Sequence, residues 1–428
     1  MKCIKYLDVN WHDAKCNNYK YYISDENYCF KNWYCKDNCD CADTLILKYV
    51  FKEQVYYIRC LKNMYLNWVP SVNSDGTPLI NGSNNSLVSS DLTGSLEEAN
   101  QLKEIPVIYP DYSAVDVGKG ILWPRKAFAP YVDSTAWPPF KFADVSAQTK
   151  VPAYNLGFIV SQSPTVCKPT WGTYYSAEQG PLNDQIKKIR EMGGDVAISF
   201  GGAANTPLHV TAPDVESLFK QYKLFTQGYK LTRIDFDIEG IWGDIAYKND
   251  NIKNSRAIKM LQDFYKSESK NISVWFTLPI LPTGLTADGI RVLQLALNEG
   301  VEISGVNAMT MDYGDSVAPD PQGKMGMYGI QAITSLKDQL NTLYQGSKSE
   351  AELWAMIGTT PMIGKNDVVS EIFMQSDANE TLAFAQKNII GLISMWSANR
   401  DNPSMSGIPQ KDNEFSEIFN EYNKLYCK

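Results

Sequence analysis

Histidine is nearly absent from this 428-residue chain: it holds only His12 and His209. A Ser/His/Asp or Cys/His mechanism would have to use one of these two, and histidine-rich zinc catalysis is excluded. His209 follows a Gly-rich loop and reads as a plain surface residue. Basic runs are missing too. With 40 Lys and Arg against 48 Asp and Glu, the net charge is −8 and nucleic acid is not an expected partner. No uninterrupted apolar run approaches the length of a membrane span, so a soluble protein with no membrane partner is expected. Near the N-terminus Asp8, Asn10 and His12 interrupt any apolar segment after Lys2 and Lys5, and no ordinary signal peptide is visible. What is abundant is apolar and aromatic. Hydrophobic residues make up 44% of the chain, enough for one large domain and a smaller one, and the 25 Tyr and 10 Trp suit either sugar stacking or an aromatic core.

Seven of the nine cysteines crowd the N-terminus: Cys3, Cys16, Cys29, Cys35, Cys39, Cys41 and Cys60. That density reads as a disulfide framework and an oxidising, extracellular compartment, with zinc binding by Cys35, Cys39 and Cys41 as the alternative. Residues 1–69 therefore form a Cys- and Tyr-rich module. Within it, Tyr21-Tyr22-Ile23 through Trp33 and Tyr56-Tyr57-Ile58 through Trp68 share their spacing. A small duplicated β unit projecting Trp33 and Trp68 onto a polysaccharide is one reading, and chance similarity the other. Residues 70–118 form a linker and lead-in, rich in Ser, Asn and Gly up to about Ser95.

From 119 to 428 apolar strand-like runs alternate with amphipathic helical ones. The strand candidates are 129–135, 154–161, 195–200, 233–239, 273–279, 305–311, 353–359 and 391–397. Between them, Ile186, Ile189 and Met192 share one helical face. Ile330, Ile333, Leu336, Leu340 and Leu343 share another, and Phe415, Ile418, Phe419, Tyr422 and Leu425 a last one. Eight such units predict an α/β fold, a (β/α)8 TIM barrel preceded by the small Cys- and Tyr-rich N-terminal module.

The run Ile234-Asp235-Phe236-Asp237-Ile238-Glu239 ends at Gly240 and alternates strictly. As a strand it carries Asp235, Asp237 and Glu239 on one face and three bulky apolar residues on the other. Three carboxylates on one face repel each other and favour a shared proton, raising the pKa of at least one of them. That is the property a general acid needs near neutral pH. A solvated edge strand or a carboxylate metal site are the other readings of the same pattern.

The region from about Phe128 to the C-terminus resembles glycoside hydrolase family 18, the chitinases. Ser199-Phe200-Gly201-Gly202 matches the family's S-x-G-G at strand three, and Asp235, Asp237 and Glu239 match its D-x-D-x-E on strand four. Met309-Thr310-Met311-Asp312 resembles the strand-six M-x-Y-D, and Trp396 matches the strand-eight tryptophan beneath the sugar. Two departures stand out. Thr232-Arg233 replace the Asp-Gly that usually precedes the acids; these positions come before the acidic face, so no effect on chemistry is expected. Met311 replaces the strand-six tyrosine that holds the substrate acetamido group. Tyr313 lies two residues on and would supply that hydroxyl if the strand extends so far.

The resemblance implies a substrate-assisted, retaining mechanism with no cofactor and no metal. Glu239 would be the acid and later the base, Asp237 would stabilise the oxazolinium, and Asp235 would tune Asp237. Met311, Asp312, Tyr313, Trp396 and Trp137 are the expected substrate-binding residues, with Trp171 and Trp242 as further stacking candidates. Ser199, Gly201 and Gly202 are expected to shape the barrel around the acids. The expected partners are chitin or N-acetylglucosamine oligomers, bound by a monomer. Alternatives are an endo-N-acetylglucosaminidase acting on N-glycans, a chitin-binding lectin with an inactive barrel, and a metal-dependent hydrolase. Too little chain separates strands seven and eight to hold an extra domain, which predicts an open cleft and endo-action.

Overall fold

Apolar runs too short for helices, each followed by an amphipathic segment, give parallel strands that must hide both faces. The computed structural model describes residues 44–51, 54–61, 92–93, 106–124 and 126–426, in two units, Met1–Glu104 and Ile105–Lys428. In the second unit eight strands pair in parallel around a ring. They are β1 (Ala127–Phe128 and Tyr131–Asp133), β2 (Ala153–Ser163), β3 (Asp195–Gly201), β4 (Arg233–Asp237), β5 (Ser273–Leu281), β6 (Gly305–Met309), β7 (Ile357–Thr360) and β8 (Leu392–Ile393). The ring closes at β1, whose first part pairs with β8 (Ala127↔Leu392) and whose second pairs with β2 (Tyr131↔Asn155). Pro130, which has no N–H to donate, sits at the break. Outside the ring lie α1 (Phe142–Thr149), α2 (Asn183–Glu191), α3 (Val215–Gly228), α4 (Lys248–Ser267), α5 (Ala287–Asn298), α6 (Met325–Leu343), α7 (Gln375–Asn388) and α8 (Glu414–Tyr426).

The barrel interior is layered. Ala129, Ala153, Ala197, Trp275 and Leu392, with Trp123, form an apolar cluster near the strand starts. The next inward positions are polar: Tyr131, Asn155, Ser199, Asp235, Thr277 and Asn307 are all buried. Buried polar atoms must be paired, and here they pair across strands. Asn307 Nδ2 donates to Thr277 Oγ1 at 3.1 Å, and Thr360 Oγ1 donates to Asn307 Oδ1 at 2.8 Å. On the outer face of β4, Ile234, Phe236 and Ile238 are buried, and Phe236 packs against Phe200 and against Tyr222 of α3. Burying each such side chain contributes ~1.5–3 kcal/mol.

Several boundaries differ from the sequence reading. Leu353–Ala355 are helical, inside a short helix Glu350–Ala355 started by a Ser349/Glu352 capping box, and the seventh strand begins only at Ile357. Met192 and Leu425, assigned to buried stripes, are 49% and 52% exposed. The lead-in also belongs to the barrel unit before residue 119: Val107 bridges to Cys167, and Tyr112, Val115 and Val117 are buried. In the first unit, Thr44–Phe51 pairs antiparallel with Gln54–Leu61, and Leu92–Thr93, read as linker, adds a third strand. Trp33 and Trp68 lie outside the described residues. Between β7 and β8 the chain holds only a small antiparallel pair, Gly364–Lys365 with Ile372–Phe373, and then α7.

Candidate active site

The acidic column is assembled by β4 and the two residues after it. Asp235 and Asp237 lie within the strand. The ladder to β5 continues one residue further through Ile238 N–H to Thr277 O (3.0 Å), and Glu239 is extended (φ −134°, ψ 172°). Alternation is thereby preserved, and all three acids share the inward face at the C-terminal mouth, where catalytic groups of such barrels sit. Gly201, at the end of β3, is required by close approach: at φ +116° any Cβ would stand 2.0 Å from Asp237 O. Gly202 donates its N–H to that carbonyl at 3.1 Å, and a Cβ on it would meet the Phe158 ring at 2.8 Å. The two glycines let β3 and the Phe158 ring close against the acids.

The three carboxylates have different surroundings. Asp235 accepts from Tyr131 Oη (2.8 Å) and Ser199 Oγ (2.6 Å) on one oxygen and from Thr277 Oγ1 (2.7 Å) on the other. Burial leaves its pKa above the ordinary carboxylate value, and those three hydroxyls and then Arg233 limit the rise. Asp237 is just as buried, yet its Oδ1 has no hydrogen-bond partner. Burial first, then the charges of Glu239 and Asp235, push its pKa well up. A carboxylate with three donors keeps its charge more readily than one without them, so Asp237 is the resting proton carrier of the inner pair. Burial and the facing Asp312 raise Glu239 to about 7. That value suits a group that must give up a proton and later take one near neutral pH.

Asp312, just past β6, stands in the left-handed region at φ +50°. Its Oδ1 accepts from Val368 N (2.8 Å), and its own N–H donates to Asn366 Oδ1 (3.3 Å). Burial and then Asp367 raise its pKa, while the Val368 N–H bond and, more weakly, Arg400 oppose them. Beyond β8, Trp396 is partly exposed. Its ring stacks on Phe158 (centroids 5.7 Å apart, planes at 21°) and meets Tyr131 at 6.1 Å. Met311 is also partly exposed, and Trp137, on the loop after β1, is 82% exposed. Trp242, in the turn after Glu239, is half-buried edge-on to Tyr247 at 4.9 Å.

Four sequence readings give way here. β6 ends at Met309 and the chain turns at Asp312, so Tyr313 does not continue the strand's alternation. It is 5% exposed, packed edge-on to Tyr328, and its Oη lies buried without a partner. Trp171 is 1% exposed in a strand antiparallel to β2, and its indole N–H donates to Tyr229 Oη at 3.3 Å. It is core, not cleft. His209 is buried, and burial with the nearby Lys253 lowers its pKa to about 3, which leaves it neutral. Arg233 does not stand apart from the acidic face: it lies on the same inward side of β4 and is 3% exposed. Tyr131 and Thr277 were missed altogether. Their only signal is parity, because each occupies an inward position level with Asp235.

No family model matches the chain. Among curated proteins it is 40% identical over 316 residues to the probable bifunctional chitinase/lysozyme of Escherichia coli K12, an alignment covering 71% of this chain and 35% of that protein. It is 41% identical over 286 residues to Endochitinase 11 of Metarhizium anisopliae, covering 66% of this chain and 54% of that one. The chain thus spans between a third and a little over half of these relatives. Among solved structures, the catalytic domain of the hyperthermophilic chitinase from Pyrococcus furiosus superposes with a TM-score of 0.63 over 73% of this chain. Active domain 2 of that organism's thermostable chitinase, solved as catalytic-site mutants with chito-oligosaccharides, is 29% identical with a TM-score of 0.64. With 30% identity across 98% of the Pyrococcus furiosus catalytic domain, this chain belongs to glycoside hydrolase family 18.

Proposed function

We propose that the chain is an endo-acting chitinase that cuts β-1,4 bonds between N-acetylglucosamine units with retention, assisted by the substrate's own acetamido group. The observation that carries this reading is the graded column at the mouth of β4: a triply bonded Asp235, an unpartnered Asp237 and a Glu239 held at about 7. In the first step Glu239 gives its proton to the glycosidic oxygen as the bond from that oxygen to the anomeric carbon breaks. The acetamido carbonyl oxygen forms the replacement bond to that carbon. Asp237 passes its resting proton to Asp235 as the ring closes, and, ionised and turned toward the acetamido N–H, balances the oxazolinium charge. Glu239, now the base, takes a proton from water as its oxygen attacks the anomeric carbon, and the oxazolinium ring reopens. Trp396 would floor the cleaved sugar, with Asp312 and Met311 beside it and Trp137 at an outer subsite. Release of a fluorophore from a chitotriose glycoside, undiminished by EDTA, tests the reading. Activity confined to glycan release from a glycoprotein, or lost on chelation, would replace it.

The short connection between β7 and β8 supports open ends to the cleft, since it offers no extra domain to wall it. An open groove admits a chain at mid-length. Long soluble chitin should therefore yield a spread of short oligomers from the earliest time points, read by chromatography. Early predominance of chitobiose would count against endo-action.

Residues 1–69, joined by the segment beginning at residue 70, would act as a carbohydrate-binding module outside the cell. Removing residues 1–95 should leave hydrolysis of soluble oligomers intact and weaken both adsorption and activity on solid chitin, because tethering raises local concentration at a surface. Equal adsorption of the two forms would end that assignment.

A further inference from the structure

Arg233 opens β4, and residues two apart on a strand point the same way, so it lies directly below Asp235 on the inward face. Its guanidinium carbon stands 4.1 Å from the ring centroid of Trp275 and 4.6 Å from that of Trp123, a cation between two indoles. Only 3% of the residue is exposed and its Nε has no hydrogen-bond partner. Filling this space would need no charge, since Ala129, Ala153 and Ala197 around it are apolar. A buried cation held by ring faces is expensive unless an anion compensates it.

The groups facing this cation and its neighbour can be named. Tyr131 reaches the same place from β1, while Ser199 and Thr277 present hydroxyls from β3 and β5. Asp237 and Glu239 continue the column, and Asp312 faces Glu239 from beyond β6. Burial lowers Arg233 only to about 10, with Asp235 and then Tyr131 opposing the fall, so it stays charged at neutral pH.

We propose that Arg233 is a positioning residue: the fixed cation beneath the carboxylate column that holds Asp235 ionised, so that the mobile proton resides on Asp237 and Glu239. This deepens the chitinase reading and rests on it for its kinetic arm. Without the cation, Asp235 would bind a proton more readily. Its negative charge would then neither hold the proton on Asp237 nor accept that proton when Asp237 must ionise.

The test is Arg233→Met beside Arg233→Lys. On a chitotriose glycoside, the acidic limb of kcat/KM against pH should move up by roughly one pH unit or more in Arg233→Met, as expected for losing a unit charge two strand positions away. Arg233→Lys keeps the charge and should keep the limb near its wild-type position. A limb unmoved in Arg233→Met, or moved as far in Arg233→Lys, overturns the proposal. A second arm needs no substrate and so separates this inference from the chitinase reading. In urea unfolding at pH 7, adding Asp235→Asn to Arg233→Met should recover stability, because the stranded anion goes with its cation. If Arg233→Met alone does not fold, the double variant should. Asp235→Asn acting identically in both backgrounds, or a double variant that stays unfolded, overturns the pairing.

Discussion

Glu239→Gln is expected to lower kcat/KM by on the order of 10²–10⁴-fold while leaving the protein folded, because general acid catalysis contributes about that much. The amide keeps the size of the carboxyl group and can still donate a hydrogen bond, but it has no proton to give to the leaving oxygen. Wild-type activity should fall as pH rises through about 7, where Glu239 loses its proton. The variant's residual rate should lose that limb. Folding should not suffer. Glu239 binds its proton more tightly in the folded chain than in the unfolded one, so the wild type loses stability as pH climbs from the ordinary carboxyl range toward 7. The substituted amide cannot ionise, and the variant should melt no lower than wild type at pH 7. Residual activity above one tenth of wild type on a chitotriose glycoside, with an intact melting transition, would sink the assignment of Glu239 as the acid.

The acid column was legible because it needs only a period of two. Alternation through residues 234–239 fixes which side chains share a face, and the ladder through Ile238 to Thr277 keeps that period intact past the formal end of β4. The two glycines of β3 were legible as a motif, though their cause, the approach to Asp237 O and to the Phe158 ring, appears only with the strands in place. Partners from distant strands left no trace beyond their parity. Tyr131 and Thr277 are 104 and 42 residues from Asp235, and an inward-facing hydroxyl in an apolar run looks like any other strand residue. Tyr313 misled because parity holds only while the chain stays extended, and Asp312 turns it. Residues 353–355 misled for a related reason. A short apolar run fits a buried strand or a buried helix, and the Ser349-x-x-Glu352 pattern ahead of it was the signal that decided for helix. Trp171 could have lined a cleft or a core, and the Tyr229 hydroxyl that holds it inside comes from another part of the chain.

Asp237→Asn should separate stability from catalysis more sharply than any other substitution in the column. Asp237 is 3% exposed, its Oδ1 has no hydrogen-bond partner, and burial together with Glu239 and Asp235 drives its pKa well above the usual carboxylate range. At rest it therefore holds a proton, and an asparagine reproduces that neutral state nearly atom for atom. The folded protein binds this proton far more tightly than the unfolded chain does. Its contribution to stability is full below the unfolded pKa and is lost as pH rises toward the folded one. Asparagine escapes that loss, so the melting-temperature gap between variant and wild type should widen in the variant's favour from pH 5 to pH 8. Catalysis asks for the opposite state. When the oxazolinium forms, residue 237 must carry a negative charge beside it, and asparagine supplies only a dipole. Removing one such preorganised stabiliser elsewhere lowers kcat by about 10²–10³-fold, and a loss of that order is expected here. The two readouts fail independently. A gap that does not change with pH would mean that Asp237 is not the resting proton carrier. A kcat within threefold of wild type would mean that the charge on Asp237 does not stabilise the transition state.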